Sequence, residues 1–494
     1  MRKKLIKEIL GHKLVYFLLA IILGVGLFLR VYRIGNTLGF YYDQGRDALT
    51  IWNLWHHGDF FLIGPTTGIA GIFRGPYYYY LIAPFYLLGK GNPVWPSVFL
   101  SLTAVLACFL AYVLGAKIHS RIAGLIAALI SSFSFNLVMA SRWLSNPTPM
   151  LILSMLLVLF MLLVTEGKKW AWGGIALVAG LSLFHFGSAG EVFYFIAILI
   201  FVFWQKRNLP NKKNLLISAG LFLLTVLPLV VFDLKNNFLI TSNIKKFFFE
   251  ERSFRPVTWR VVQDKINLYA DVFGKLIFHG RWEKEKIFLG ASVLLIIYHL
   301  PRLIKNRGVK ILLLLLTSVG IGLIFFQGNQ GNFYDYYLTG YYLIFILLFA
   351  IGLGEIAKSK LGKVFVIYFL YLFLLSNYWP LRFKLTDRVD GPGSIALKSE
   401  LAAVNWVFAD SGDDKFNVDV YVPPVIPYAY DYLFLWKNNG RKVEERKELL
   451  YTLYENDDAN PKRLEAWLAR QKGIGKIEKE YRFGGIVVQR RLRI

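Results

Sequence analysis

Five consecutive residues, Asp43-Gln44-Gly45-Arg46-Asp47, bring two carboxylates and a guanidinium close together along the chain. If the chain is helical from about residue 43, Asp43, Arg46 and Asp47 stand at i, i+3 and i+4 and share one face. Such a face holds a proton acceptor beside an anion-binding cation, the pairing needed to deprotonate a hydroxyl next to a phosphate. The same residues suit a plainer role, an acidic first turn that complements the helix dipole with Arg46 as its neutraliser. Spacing alone leaves both readings open.

Other polar groups fall among turn-forming residues. Gly64-Pro65-Thr66-Thr67-Gly68 precedes Phe73-Arg74-Gly75-Pro76 and four tyrosines, Tyr77 to Tyr80. Gly and Pro enforce turns, and a tyrosine run is the amphipathic material expected as an anchor at a membrane–water boundary. Arg74, at the head of that run, is the less routine element. His185 with Gly187, Gly190 and Glu191, and Gln327 with Asn329, Asp335 and Tyr336, sit where apolar runs end. His56-His57 with Asp59 has no third spaced ligand and reads as surface, so no metal site is expected. Asp233 and Lys235 read as a local pair. Cys108 is the sole cysteine, which excludes an intrachain disulfide and any Cys-based metal centre.

The elements that must position these groups are membrane helices. Of 494 residues, 56% are hydrophobic and 18% charged, and the mean hydropathy is +0.46. Soluble domains average about 25% charged residues, so an ordinary soluble enzyme is excluded. A spanning helix needs about 20 mostly apolar residues. Eleven such runs are read near 14-34, 93-115, 121-139, 148-165, 170-186, 190-204, 214-233, 287-304, 310-327, 336-357 and 361-380. The formal net charge of +25 would suggest nucleic acid in a soluble protein. Here Lys and Arg collect in alternate loops instead: residues 2-13, 117-121, 168-169, 206-213, 302-310 and 358-363. The opposite short loops, around 140-147, 184-190 and 328-335, hold Arg142 alone. That asymmetry implies a cytoplasmic N-terminus, an outer C-terminus and the membrane leaflet as partner of the basic excess. The first run lacks a small-residue cleavage site and reads as a retained helix.

Three pieces then lie on the outer face: the loops 35-92 and 234-286, and the tail 381-494. The tail carries nearly balanced charge, as a solvated domain should. Ser394 reads as the cap of an amphipathic helix through Phe408, a strand is expected at 416-422 before Pro423-Pro424, a second helix from Asn460-Pro461, and a last strand from Ile486 to Gln489. The expected organisation is a polytopic α-helical membrane domain over 1-380 followed by a small extracytoplasmic α/β domain over 381-494.

These motifs, in this order on one face of a membrane, resemble the GT-C glycosyltransferases, nearest the protein O-mannosyltransferase and lipid A aminoarabinose transferase branch. In that branch the first loop usually carries Asp-Glu, where this chain has Asp43-Gln44, so one acidic partner is either missing or replaced by Asp47. The Pro-Tyr-Tyr segment corresponds to Pro76, Tyr77, Tyr78 and Tyr79, with Arg74 near a family lysine. An Arg followed by Asp or Asn corresponds to Ser141-Arg142-Trp143-Leu144-Ser145-Asn146-Pro147. Pro228 with Phe232-Asp233-Leu234-Lys235-Asn236-Asn237 resembles the family's membrane exit.

The resemblance implies a GT-C-like fold of about 11 transmembrane helices and transfer of a hexose or pentose from a polyprenyl-phosphate donor to an outer acceptor, usually with inversion. It implies Asp43 as base with Asp47 in support, and Arg46, Arg74 and Arg142 on the donor phosphate. Tyr42, Tyr77, Tyr78, Asn146, His185, Gln327 and Tyr336 are the candidate lining of the substrate cavity. No cofactor is firmly implied, and dependence on a divalent metal is not legible. The expected partners are the lipid donor, membrane lipid, and a lipid, protein or polysaccharide acceptor, with no nucleic acid. Competing readings are a multi-span transporter, which would want ionisable groups mid-span where few occur, and a non-catalytic cell-surface polymer assembly protein.

Overall fold

The computed structural model describes residues 8–250, 257–280, 282–325, 334–386, 395–423 and 426–494. An apolar run begins the bundle as α1 (Lys13–Val31). A short helical turn, Ile34–Thr37, leads to α2 (Tyr42–His57), which stops where Gly58 adopts a positive φ of 72°. Next come α3 (Tyr77–Leu88) and α4 (Val94–Ile118), then α5 (Arg121–Phe133) and α6 (Phe135–Arg142), which meet at 62°. The chain continues through α7 (Met150–Thr165) and α8 (Ala171–Leu181), and after a π turn at Ser182–Phe186 and a 3-10 turn at Gly190–Val192 it enters α9 (Phe193–Trp204). The remaining helices before the sheet are α10 (Lys212–Lys235), α11 (Leu239–Phe249), α12 (Trp259–Ile277), α13 (Glu283–Leu303), α14 (Arg307–Phe325), α15 (Thr339–Ile356), α16 (Lys360–Thr386) and α17 (Leu397–Asp410).

Seven described helices are long and apolar enough to cross a membrane, eight if the bent pair counts as one span. The expected spans at 148-165, 170-186 and 190-204 are apolar but shorter: Met150–Thr165, Ala171–Phe186 and Gly190–Trp204. At 1.5 Å per residue each reaches only about 24 Å, below the ~30 Å hydrocarbon thickness. The span at Asp335–Ile356 is 83% buried and forms the centre, whereas Lys212–Lys235 and Glu283–Leu303 are 11% buried and lie at the rim.

The bend at Ser134 has a compensating group. Phe135 N–H, which a continuous helix would turn back to Ser131, is taken by Asn377 Oδ1 at 2.8 Å. The freed carbonyls of Ser131 and Ser132 accept from the buried Arg30 of α1 at 2.8 and 3.1 Å. An ionisable group inside a membrane bundle is tolerated only when ringed by such partners.

The basic loops gather at one end of the bundle. Buried Glu355 there meets His119 at 2.8 Å, Lys358 at 2.6 Å and Arg302 at 3.2 Å, and Lys117 pairs with Glu166. Helix α3 packs on both α2 and α4.

The C-terminal residues form a four-stranded sheet of order β1-β2-β4-β3 from β1 (Asn417–Tyr421), β2 (Leu449–Glu455), β3 (Gly475–Phe483) and β4 (Ile486–Arg493). The β1–β2 pair is parallel and the other pairs are antiparallel. Helices α18 (Tyr428–Lys437) and α19 (Pro461–Ile474) complete this part with α17. The last strand runs four residues beyond the expected end, and α18, β2 and β3 were not legible in the sequence. The expected cap Ser394, together with Gln327 and Asn329, lies outside the described residues.

Candidate active site

The acidic motif begins α2. Gln44 returns its Oε1 to accept from Tyr41 N–H at 3.1 Å and donates through Nε2 to Leu144 O at 3.1 Å. It is buried, so the residue standing where the resembled family has Glu anchors the helix start to the 143–146 loop. Asp43, Arg46 and Asp47 do share a face. Arg46 meets Asp43 Oδ1 at 2.9 Å and Asp47 Oδ1 at 2.7 Å, and it donates to Thr66 Oγ1 at 3.0 Å. Asp47 Oδ1 also accepts from Tyr79 O–H at 2.9 Å.

The two acids differ in surroundings. The Asp43 side chain is 55% exposed, that of Asp47 7%. Burial pushes Asp47 up to about 6, although Arg46 and the Tyr79 hydroxyl both pull it down. For Arg46 burial works against the charge, but Asp47, Tyr79 and Asp43 together outweigh it and the guanidinium is held above its ordinary range.

Arg74 arrives on a different segment. Its loop folds back on itself through Gly64 N–H to Arg74 O at 2.7 Å and Arg74 N–H to Pro65 O at 3.0 Å. Two glycines make this possible: a Cβ on Gly64 would fall 2.2 Å from Gly75 O, and one on Gly75 2.1 Å from the His185 ring. Gly75 N–H donates to Phe184 O at 2.6 Å, which pins the loop to the π turn after α8. Among the described residues no hydrogen bond or ion pair occupies the Arg74 guanidinium. Burial lowers its pKa, opposed by Glu191, Tyr336 and Tyr337.

These groups line one cavity of about 510 Å³, within the ~300–1,000 Å³ usual for small-ligand sites. Asp43, Arg46, Asp47 and Arg74 face it, with Thr66, Asn146, Ser188 and Tyr336. Lys265 of α12 reaches it from the 234-286 loop, and Tyr334 and Tyr337 flank Tyr336. The sequence reading missed these three; a lysine 191 residues after Arg74 carries no local signal of where it folds. Trp143 and Tyr336 rings meet edge-on at 5.5 Å, and both also line a neighbouring cavity of about 500 Å³.

Several candidates lie elsewhere. Arg142 does not reach the cavity. Its guanidinium donates to the carbonyls of Leu29, Arg30 and Tyr32 and to Thr37 Oγ1, closing the C-terminus of α1. The end of a helix leaves carbonyls without partners, and they claim this arginine. Tyr78 and Tyr79 are buried in the core, correcting the expectation of an interfacial tyrosine run. Tyr77 stacks on His185 at 4.1 Å and donates through its hydroxyl to Leu224 O. Buried His185 faces Thr225 O through Nε2 and Tyr77 N–H through Nδ1, so its ring braces the Arg74 loop from behind. Tyr42 packs against Tyr428 with the rings tilted at 57°. Asp233 accepts from Ile240 N–H and the Thr241 hydroxyl at the start of α11, which corrects its expected pairing with Lys235. Among the described residues no three His, Cys, Asp or Glu side chains gather as metal ligands, and His56 stacks on Trp52.

A bundle of membrane helices with an acid-bearing helix and a polar cavity at one end is the architecture of the GT-C glycosyltransferases, and this chain has that fold. A family model described as dolichyl-phosphate-mannose-protein mannosyltransferase matches residues 74–232. The structure is similar to ArnT from Cupriavidus metallidurans in the apo state, with a TM-score of 0.63 at 10% identity over 97% of this chain and 98% of that one. ArnT bound to undecaprenyl phosphate gives 0.56 at 12% identity, over the same shares. The Archaeoglobus fulgidus oligosaccharyltransferase in the apo form gives 0.52 at 12% identity, over 85% of this chain and 63% of that one. No curated protein matches the sequence. The chain's long apolar helices mark an integral membrane protein, and the likeness to these structures is one of fold.

Proposed function

We propose that this protein transfers a hexose or pentose from a polyprenyl-phosphate donor to an acceptor hydroxyl at the outer membrane face, inverting the anomeric centre. The observation that carries the reading is one cavity holding an exposed carboxylate, Asp43, together with an arginine, Arg74, that makes no ion pair among the described residues. Asp43 takes the acceptor proton as its oxygen attacks the anomeric carbon. The bond to the phosphate oxygen breaks, and the departing phosphate anion is held by Arg74. Arg46, already shared between two acids, orients Asp43 and holds Asp47. The similarity of fold to an ArnT bound to undecaprenyl phosphate supports a lipid phosphate as ligand. In this reading the N-terminus is cytoplasmic, residues 1-380 form the transferase domain, and 381-494 form an extracytoplasmic one.

The test is release of polyprenyl phosphate by purified protein in lipid nanodiscs, given a panel of polyprenyl-phosphate-linked hexoses and pentoses with membrane-extract acceptors. Asp43→Asn keeps shape and removes proton acceptance, so turnover should fall by on the order of 10²-fold while polyprenyl phosphate still binds. Wild-type turnover in Asp43→Asn removes it as base, and a smaller loss in Asp47→Asn than in Asp43→Asn is the expected contrast.

A further inference from the structure

The C-terminal part of the chain lies directly against the back of the acidic helix. Gly45 sits between Asp43 and Arg46, and a Cβ built on it would fall 2.3 Å from both Tyr428 C and Ala429 N, at the start of α18. The contact is backbone on backbone, so no side-chain rotation relieves it. Around it Tyr42 and Tyr428 rings lie 4.9 Å apart, and Tyr432 meets Phe40 at 5.9 Å and Trp52 at 6.2 Å. Helix α18 is itself held at both sides. The Tyr432 hydroxyl and Trp436 Nε1 donate to the carbonyls of Gly91 and Lys90 at 2.5 and 2.7 Å, in the turn before α4. Behind it Tyr430 donates to Glu455 Oε1 of β2 at 2.7 Å, and Phe434 packs on Phe408 of α17.

We propose that α18 is the seat that fixes the position of the Asp43–Asp47 turn, with Gly45 as the positioning residue that permits the close fit. The proposal rests on the transferase reading above. Arg74 belongs to a loop pinned to Phe184 and His185; the Arg46–Thr66 hydrogen bond links α2 to that loop, but the pinning holds the arginine back, so a shift of α2 changes the spacing between base and phosphate. Adding a methyl at residue 45 demands a retreat of roughly 1 Å to reach ordinary contact distance, a displacement that can cost about 10²-fold in rate. Alanine is also the better helix former, so weakening of α2 itself cannot explain a loss.

The experiment compares Gly45→Ala with Gly290→Ala, where a Cβ meets nothing within 4 Å, and with the double variant Tyr432→Phe/Trp436→Phe. Full-length folded protein is measured three ways: amide hydrogen exchange over residues 42–57, binding of polyprenyl phosphate, and turnover of the donor that the wild type uses. Gly45→Ala should exchange faster in α2 and lose 10- to 100-fold in kcat with polyprenyl phosphate affinity within about threefold. The double variant should shift the same way by less, and it decides the matter if Gly45→Ala fails to fold. Gly290→Ala should match wild type. Unchanged exchange over 42–57 in the foldable variants overturns the proposal, as does a loss of affinity equal to the loss of kcat. Normal turnover in Asp43→Asn would instead remove the transferase mechanism and leave the exchange result to judge the seat.

Discussion

Removing Arg74 should strip the donor phosphate of its main counter-charge. Two unit charges 4 Å apart interact by about 4 kcal/mol at an effective dielectric of ~20. Water and neighbouring polar groups recover part of this in the variant, leaving about 2–4 kcal/mol, or roughly 30- to 700-fold in affinity. The guanidinium already pays for partial burial without a partner among the described residues, so a bound anion relieves that cost. Arg74→Lys keeps the charge but not the two-pronged geometry, and should recover part of the loss. Arg46→Ala should behave differently. Its guanidinium is already committed to Asp43 and Asp47, so its removal leaves the buried Asp47 uncompensated and costs stability, on the order of 3–5 kcal/mol, more than donor affinity. The assay is polyprenyl phosphate binding by each variant in nanodiscs, with Tm recorded alongside. Wild-type affinity in Arg74→Ala with normal Tm, or a larger affinity loss in a stable Arg46→Ala, would refute the division of labour.

Asp47 gives a pH dependence. Its pKa of about 6 in the folded chain lies above the ordinary carboxylate value, so the native state keeps a proton that the unfolded chain has released. Its contribution to stability therefore diminishes as pH rises through about 4 to 6. Protonation below about 6 weakens the hold on Arg46, so turnover should drop on that limb, and Asp47→Asn should abolish the limb in a pH–rate profile. Topology is checked by labelling single cysteines in a Cys108→Ser background: Asp59→Cys and Asp413→Cys should react from outside intact cells, and Lys360→Cys only after permeabilisation. Reaction of the first two only from the cytoplasm would reverse the orientation and end the proposed function.

The amino-acid sequence alone was enough for whatever depends on local periodicity. Long apolar runs with basic loops between them specify membrane helices because burial of 20 or so apolar residues needs no distant partner to be favourable in lipid. The spacing of Asp43, Arg46 and Asp47 put them on one face because helix geometry does so wherever a helix forms. The fate of each arginine was not local. Arg74 and Arg142 look alike in sequence, each beside an aromatic residue near a membrane boundary. Tertiary structure commits Arg142 to the carbonyls at the end of α1, while the glycine-hinged loop carries Arg74 into the cavity. Tyr78 and Tyr79 likewise read as boundary anchors until α3 is seen folded into the core, with Tyr79 spent on Asp47. Lys265 and α18 come from segments hundreds of residues from the acidic turn, and their approach depends on which unsatisfied polar groups and close-packed backbones meet once the helices assemble. Those non-local meetings leave no period in the sequence, so the fold class was legible there and the identity of the free cation and of the helix's seat was not.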